Sequence, residues 1–361
     1  MLFLLGKIAL YLTESAPLYG VAESAQVPWP CQNGAMMIHV AALAGVLLKI
    51  SLILPLYDRR NAGWNPLESA LDQSLNRGQY EVIAVVGRKF DDEVASDAHA
   101  RALLQGCDAV VHVEADPNRL DQEIPFLLAG YERSTGDVLL FMEGHTVLDK
   151  TVCARIAAYF RDNPQSQLAW GPRIHRSESS LGLLIGMHSK RHERRAWKGG
   201  GFWLGGNSVI KREIFEHLGT LEADFMRFGE RVLFERIVRE NIAIGRLEMP
   251  LATHYDDMPL SQLIGVAAAA GEAKFKYYNF PISGAGAGPV QVRHRIYLFA
   301  NHDASALILF PLFCVLRTLF LRAAIGLCRF SRTWAYRLYV LGFGFADLSG
   351  FCKARIRAAR V

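Results

Sequence analysis

The chain has 361 residues, 51 % of them hydrophobic and 21 % charged, with a formal net charge of +5 at pH 7. That is too apolar for a disordered or fibrous chain. At roughly 150 residues per domain it accommodates two domains, or one with an appendage. The charge is uneven: residues 304–361 carry nine Lys and Arg against the single acid Asp347, which leaves the other 303 residues at −3. A tail both cationic and apolar points to an anionic membrane surface; no nucleic-acid partner is expected, because aromatic interleaving and a binding motif are missing. The six cysteines, Cys31, Cys107, Cys153, Cys314, Cys328 and Cys352, are scattered without C-x-x-C spacing, which argues for free thiols over zinc or disulfides.

Residues 1–49 read as a lead-in. MLFLLGKIALYL has no basic residue before its apolar run and is a poor signal peptide; residues 13–35 mix Pro, Gly, Ser and Gln, and Met36 or Met37 is an alternative start. From residue 50 a regular alternation begins. Ile50–Leu54 predicts a buried strand closed by Pro55, Pro66–Asn76 a helix, Tyr80–Val86 a strand closed by Gly87, and Asp92–Leu104 a helix. Ala109–Val113 predicts a strand, Leu120–Arg133 a helix and Asp137–Met142 a strand. Strands alternating with helices of this length predict an α/β fold built on a mainly parallel, Rossmann-like sheet. Its ligand crevice lies beyond the carboxyl ends of the strands, near Pro55–Arg59, Gly87–Asp92 and Glu143–His145. Farther on, Glu230–Glu240 predicts a helix, Ala243–Leu247 a strand and Leu247–Ala252 a strand-like run before His254. GAGAGP at 284–289 reads as a joint, and two apolar stretches follow, Ala304–Cys328 and Ala335–Cys352. Arg317, Arg322 and Arg337 inside them favour helices lying in a membrane interface, or a tight hairpin, over simple spanning segments; an extra soluble helical layer is the plain alternative.

No P-loop, H-E-x-x-H or G-x-S-x-G is present, and no G-x-G-x-x-G follows an early strand, which argues against a dinucleotide-dependent oxidoreductase. What is present is an ordered set. An apolar strand ends in Pro55-Leu56-Tyr57, and a turn Gly87-Arg88 follows the second strand. TGDVLLFM then leads into Glu143-Gly144-His145-Thr146-Val147-Leu148, and GGGFWLGGN ends at Gly206-Asn207. Lys211-Arg212-Glu213-Ile214-Phe215 comes next, then Gly229-Glu230-Arg231 and His254. This order resembles glycosyltransferase family 2, inverting nucleotide-sugar transferases of the GT-A fold, over about residues 50–280. The resemblance implies a GT-A-like domain at 50–283 followed by cationic, membrane-associating helices at 284–361. It implies sugar transfer from a UDP- or GDP-sugar to a lipid-linked or glycan acceptor at the cytoplasmic face of the inner or plasma membrane, in polysaccharide biosynthesis.

In the family, the polar triplet after the fourth strand is Asp-x-Asp and holds a divalent cation on the diphosphate. Here it is Glu143-Gly144-His145. Two residues apart in an extended turn, Glu143 and His145 share a direction, and His254 falls where the family often has a metal-binding histidine. One carboxylate with two imidazoles suits Mn2+ better than Mg2+; a metal-free site with His145 as a plain turn residue is the alternative. The resemblance places the donor against Pro55, Tyr57, Arg88, Glu143, Gly206 and Asn207, with Arg231 reaching the diphosphate or pairing with Glu230. Proton removal falls to Glu230 at a helix start, or to Asp224. The second acid of the base motif is replaced by Arg231, and the acids usual after the second strand by Arg88. These departures, with the altered triplet, leave open a catalytically inactive scaffold or regulatory subunit among the partner proteins of a glycan-assembly complex. Asp256 and Asp257 read as solvated loop acids. The basic run Lys190–Lys198 reads as a solvated helix face or as a contact for anionic lipid headgroups with Trp197 at the interface.

Overall fold

The computed structural model describes residues 48–57, 60–114, 123–195, 204–223, 229–279, 297 and 300–359. Asp224, Trp197, Lys198, the start of the GGGFWLGGN stretch, the joint at 284–289 and residues 1–47 lie outside them.

The first half follows the expected alternation. β1 (Ile50–Leu56) leads to α1 (Asn65–Leu71), β2 (Tyr80–Gly87), α2 (Asp91–Ser96), α3 (Ala98–Gln105), β3 (Ala109–Val113), α4 (Glu123–Arg133) and β4 (Val138–Phe141). The next elements are β5 (Thr146–Leu148), α5 (Val152–Asp162), β6 (Leu168–Trp170), β7 (Arg173–Arg176), α6 (Ser180–Arg195), β8 (Ser208–Lys211), α7 (Arg212–His217) and α8 (Gly229–Arg239). β9 (Ile244–Arg246), β10 (Ala252–Tyr255), α9 (Leu260–Asn279), α10 (Asp303–Leu327) and α11 (Arg332–Ala358) complete the chain. Seven strands form one sheet in the order β3-β2-β1-β4-β8-β6-β9, and β5-β10-β7 form a second. The large sheet is parallel except at β8, which runs antiparallel to β4 and β6.

Both faces of the large sheet are covered, so its central strands read as unbroken apolar runs. Leu52 and Leu54 of β1 face one core with Val82 and Leu140, while Ile53 faces the other with Leu139 and Phe141. β1 runs through Pro55, contrary to the expected stop. Ile53 O accepts from Met142 N, and the β4 ladder ends there. The missing N–H of Pro55, two residues on, faces that vacated side and costs no ladder bond. The single helix expected over Asp92–Leu104 is two, because the Asp97 carboxylate caps the second by accepting from His99 N and Ala100 N. The helix expected over Pro66–Asn76 ends at Leu71, where Asp72 leaves helical geometry. The strand before His254 is Ala252–Tyr255 and not Leu247–Ala252, so His254 stands inside a strand. The five described cysteines are all free thiols.

A buried carboxylate fastens the amino-terminal edge of the sheet. Glu81 on β2 accepts from Ser51 Oγ at 2.7 Å, Gly136 N at 3.0 Å, Thr135 N and Oγ1, and Lys49 Nζ. Burial pushes this carboxyl up, but the bonds from Lys49, Thr135 and Ser51 outweigh it and hold it at about 2.

The three long helices pack together against the site side of the molecule. α9 and α11 cross closely at two glycines: a Cβ on Gly271 would strike the Asp347 carbonyl, and one on Gly350 the Ala268 carbonyl. Lys274 and Asp347 form a buried ion pair across the same crossing. The Ala335–Cys352 stretch thereby acquires a protein core, with Ala335, Tyr339, Phe345, Leu348 and Phe351 buried. α10 differs. Among the described residues it is the one helix long and apolar enough to cross a membrane. Ile308 is 72 % exposed, and Leu307, Val315 and Leu319 are each more than half exposed.

Two stability outcomes follow. A group with a depressed folded-state pKa adds stability above its unfolded pKa and loses it as pH falls toward the folded value. Wild-type stability therefore declines between about pH 4.5 and about pH 2 through Glu81, and Glu81→Gln shows a flatter acid limb together with a loss of about 2 kcal/mol at neutral pH. Chemical denaturation at several pH values measures both. Gly350→Ala costs about 1–3 kcal/mol, because its obstacle is backbone, whereas Gly326→Ala on α10, where a Cβ meets nothing within 4 Å, is neutral or gains up to about 1 kcal/mol. Equal melting temperatures for the two alanine variants would exclude the close helix crossing.

Candidate active site

The second sheet builds the site. β10 lies between β5 and β7, so one register line runs Thr146, His254, His175. Residues two apart on a strand share a face. His254 and Asp256 thus project together, as do Arg173 and His175, while Ile174 between them points outward and is 54 % exposed. Glu143 and His145 enter from the turn that leaves β4, which closes with Thr146 N donating to Glu143 O at 3.0 Å. Glu193 arrives from α6.

These side chains form a closed ring. Arg173 Nη1 donates to Glu143 Oε2 at 2.7 Å, and Arg173 Nε to Glu193 Oε1 at 2.8 Å. His175 Nε2 donates to Glu193 at 3.0 Å, and His175 Nδ1 to Asp256 Oδ2 at 3.1 Å. His254 Nδ1 donates to Asp256 Oδ1 at 2.9 Å, and His254 Nε2 returns to Glu143 Oε2 at 3.2 Å. Burial pushes Glu143 up, but Arg173 and the two neighbouring histidines hold it well below the ordinary carboxylate range. Burial also disfavours charge on His175, yet the carboxylates of Asp256 and Glu193 on its two nitrogens raise it. Asp256 and Glu193 are lowered in turn, burial being outweighed by the same partners. Three carboxylates, Glu143, Glu193 and Asp256, thus share one guanidinium and two imidazoles.

A third imidazole joins them. His145 Nε2 lies 3.0 Å from His254 Nε2 and 3.8 Å from Glu143 Oε2. Glu143, His145 and His254 thus bring three donor atoms to one point, and with Nδ1–H bound to Asp256, His254 turns Nε2 toward Glu143 and His145, contacts that a bound cation would replace. One carboxylate oxygen and two imidazole nitrogens with a carboxylate behind one of them fit a divalent transition ion.

Glu143 and His254 line a cavity that Glu230, Arg60 and Lys274 also line, with Tyr339 and Phe343 of α11 in its wall. Glu230 stands in the first turn of α8. Arg231 beside it is turned away, donating to Glu235 at 3.1 Å and lying over the aromatic ring of Phe234, so the structure pairs it neither with Glu230 nor with the carboxylates around His175 and His254. Pro55 is buried within β1; Tyr57, at the end of that strand, packs on Phe126 with ring centroids 5.1 Å apart. Arg88 ends β2 exposed, in a 2.7 Å ion pair with Glu114. Gly206 adopts φ +77° and donates to Phe141 O at 2.6 Å, and a Cβ there would press on Thr146. Gly205 lies against the Glu143 carboxylate, and its carbonyl accepts from Arg173. Asn207 is fully buried, and its side-chain amide has no hydrogen-bond partner among the described residues.

Asp256 and Asp257 are not solvated. Asp256 has no exposed surface, and Asp257 accepts from Glu178 N and Ser179 N at the start of α6. Arg173, His175, Glu193 and Arg60 carry no signal in a sequence motif. The one trace, for Arg173 and His175 only, is the R-I-H-R alternation of β7, in which these two face inward while Ile174 and Arg176 face out.

No protein-family model matches the chain, and no curated protein sequence matches it. Solved structures do. TarS of S. aureus, solved with UDP, is 11 % identical with a TM-score of 0.44 over 81 % of this chain and 89 % of that one. The mannosyltransferase PcManGT of Pyrobaculum calidifontis, solved with GDP-Man and Mn2+, is 14 % identical with a TM-score of 0.51 over 84 % of this chain and 88 % of that one. At such identity the second likeness is one of fold: this chain has the α/β architecture of a GT-A-like glycosyltransferase.

Proposed function

We propose that this chain transfers a glycosyl group from a nucleoside-diphosphate sugar to a lipid-linked or glycan acceptor at a membrane surface. The observation that carries the reading is the convergence of Glu143, His145 and His254 at the carboxyl end of β4, where ligands bind in open α/β sheets. Glu143, His145 and His254 would hold a divalent cation, Mn2+ by donor type, which would supply positive charge to the departing diphosphate. Arg173 keeps Glu143 ionised and fixed, and Asp256 sets the tautomer of His254. Glu230 accepts the acceptor hydroxyl proton as the new bond forms from that oxygen to the anomeric carbon. The anomeric carbon–phosphate oxygen bond breaks, and the nucleoside diphosphate leaves with the electron pair. Gly205 and Gly206 keep the wall beside Glu143 thin, and Tyr57 and Arg88 stand at strand ends where a nucleoside would lie. The neighbouring folds carry UDP and GDP-Man, so both bases are candidates. Asp224 stands as the second candidate base.

The exposed face of α10 supports the membrane reading, as do Phe330, 86 % exposed, and Trp334 with Arg337 stacked 4.7 Å over its ring. Apolar bodies beside cations suit an anionic headgroup layer, and we place it at the cytoplasmic face. One observation favours the rival reading of an inactive scaffold in a glycan-assembly complex: Arg173 already neutralises Glu143 at 2.7 Å without any ion.

Calorimetry of UDP and GDP with Mn2+, followed by transfer assays with the matching sugar donors, separates the two readings. Glu143→Ala weakens metal-dependent nucleotide binding at least tenfold. Glu230→Gln cuts turnover by about 10²–10⁴ and leaves nucleotide affinity within about twofold, since a general base meets the acceptor and not the donor. Failure of either nucleotide to bind with Mn2+ would favour the scaffold. In vesicle flotation, the double substitution Ile308→Glu with Val315→Glu releases the chain from anionic vesicles; unchanged flotation would remove α10 from the membrane contact.

A further inference from the structure

We propose a second cation position in the same cavity, a two-imidazole chelate formed by His188 and His192 of α6 that takes Zn2+ or a similar late divalent ion. The two residues are four apart on one helix and therefore share a face. Their Nε2 atoms lie 3.1 Å apart. Two imidazole nitrogens on one metal, each at about 2.0–2.1 Å, stand about 2.9–3.4 Å apart for angles of about 90–110°, so the pair spans a metal without rearrangement.

The surroundings hold His188 ready. Its Nδ1 faces the Tyr336 hydroxyl at 3.3 Å, and its ring is bounded by Tyr339 and Phe343 at centroid distances of 5.5 and 5.3 Å. With Nδ1–H donating to Tyr336, the Nε2 lone pair is the one presented to the pair's partner, the outer-sphere arrangement usual for metal-binding histidines. Both residues line the cavity, so the remaining coordination positions open onto water or an oxygen ligand held there. The donor set also separates this position from the triad. All-nitrogen donors favour Zn2+, Ni2+ and Cu2+, whereas the triad contributes the carboxylate of Glu143, which Mn2+ accepts. A bare hydrogen bond between two neutral imidazoles is the competing account of the 3.1 Å separation, and it requires no metal.

This position does not rest on the transfer reading, because the quantity measured is cation binding alone. Zn2+ is titrated calorimetrically into the full chain in detergent, with folding followed by melting temperature. Wild type takes up two equivalents. His188→Gln and His192→Gln each lose one, or bind it at least tenfold more weakly, while Lys190→Gln on the exposed side of α6 retains both. His145→Gln loses the triad's equivalent, keeps the other, and still melts at a higher temperature with Zn2+ than without. Unchanged stoichiometry and affinity in both glutamine variants of the pair would overturn the chelate and leave the imidazole hydrogen bond. So would the absence of any Zn2+-dependent melting shift in His145→Gln, a test that keeps the pair intact.

Discussion

Asp256 has no contact with solvent and accepts hydrogen bonds from the Nδ1 atoms of both His175 and His254. The rest of the site depends on that carboxylate. It fixes which nitrogen of His254 carries the proton, and it shares His175 with Glu193, which in turn anchors Arg173 against Glu143. Breaking one member of such a buried ring strands charges that have no water to turn to, at a cost of about 3–5 kcal/mol for an uncompensated ion. A ring of this kind contributes little net stability compared with an apolar core of the same volume. Its contribution is geometric: it holds Glu143 and two imidazoles in register.

The ring also explains why the fold carries a second, small sheet. The large sheet ends each parallel strand at the crevice but supplies only Glu143 and His145 from beyond β4. Three further members, Arg173, His175 and His254, come from β7 and β10, whose pairing places His175 and His254 side by side. Asp256 continues β10, and α6 delivers Glu193 from above β7. The C-terminal helices then close the cavity from the far side, with Tyr339 and Phe343 in its wall. α11 is sandwiched and spends its apolar residues on protein contacts, held to α9 by a crossing only glycine permits. α10 covers one side of α11 and leaves Leu307, Ile308, Val315 and Leu319 of its own outer stripe exposed. The same apolar composition thus has two fates, decided by position in the layer order.

Much of the frame was legible in the residues. β2 falls within a residue of where its apolar run places it, because a strand buried on both faces has no choice but to be apolar throughout. Glu143, His145 and His254 were nominated as a set by the resemblance of the motif order to a known family, and the structure brings their ligand atoms within 3.8 Å of one another. Glu230 shares their cavity. Other details were invisible for identifiable reasons. Asp97 splits a helix by capping, which competes with helix continuation on local energies too close to separate by periodicity. Asp256 and Asp257 look like surface acids, since nothing in two adjacent aspartates tells whether imidazoles or backbone amides will meet them. Pro55 reads as a stop unless one knows that the neighbouring ladder has already ended.

The amino-acid sequence alone determined the alternating α/β plan, the strands of the large sheet's parallel half, the cationic apolar tail and the three metal-donor candidates. The first three rest on spacing along one segment or on residue chemistry that survives in any context; the metal-donor candidates rest on the resemblance of the motif order to a known family. Only the tertiary structure decided that a second sheet sets β7 beside β10, that Arg173, His175, Glu193 and Asp256 close a ring behind Glu143, and that one apolar helix is buried while its neighbour is bare. Those facts are pairings between segments tens of residues apart. They are settled by which buried charges can find partners and which helix faces can approach closely, and no local pattern records either.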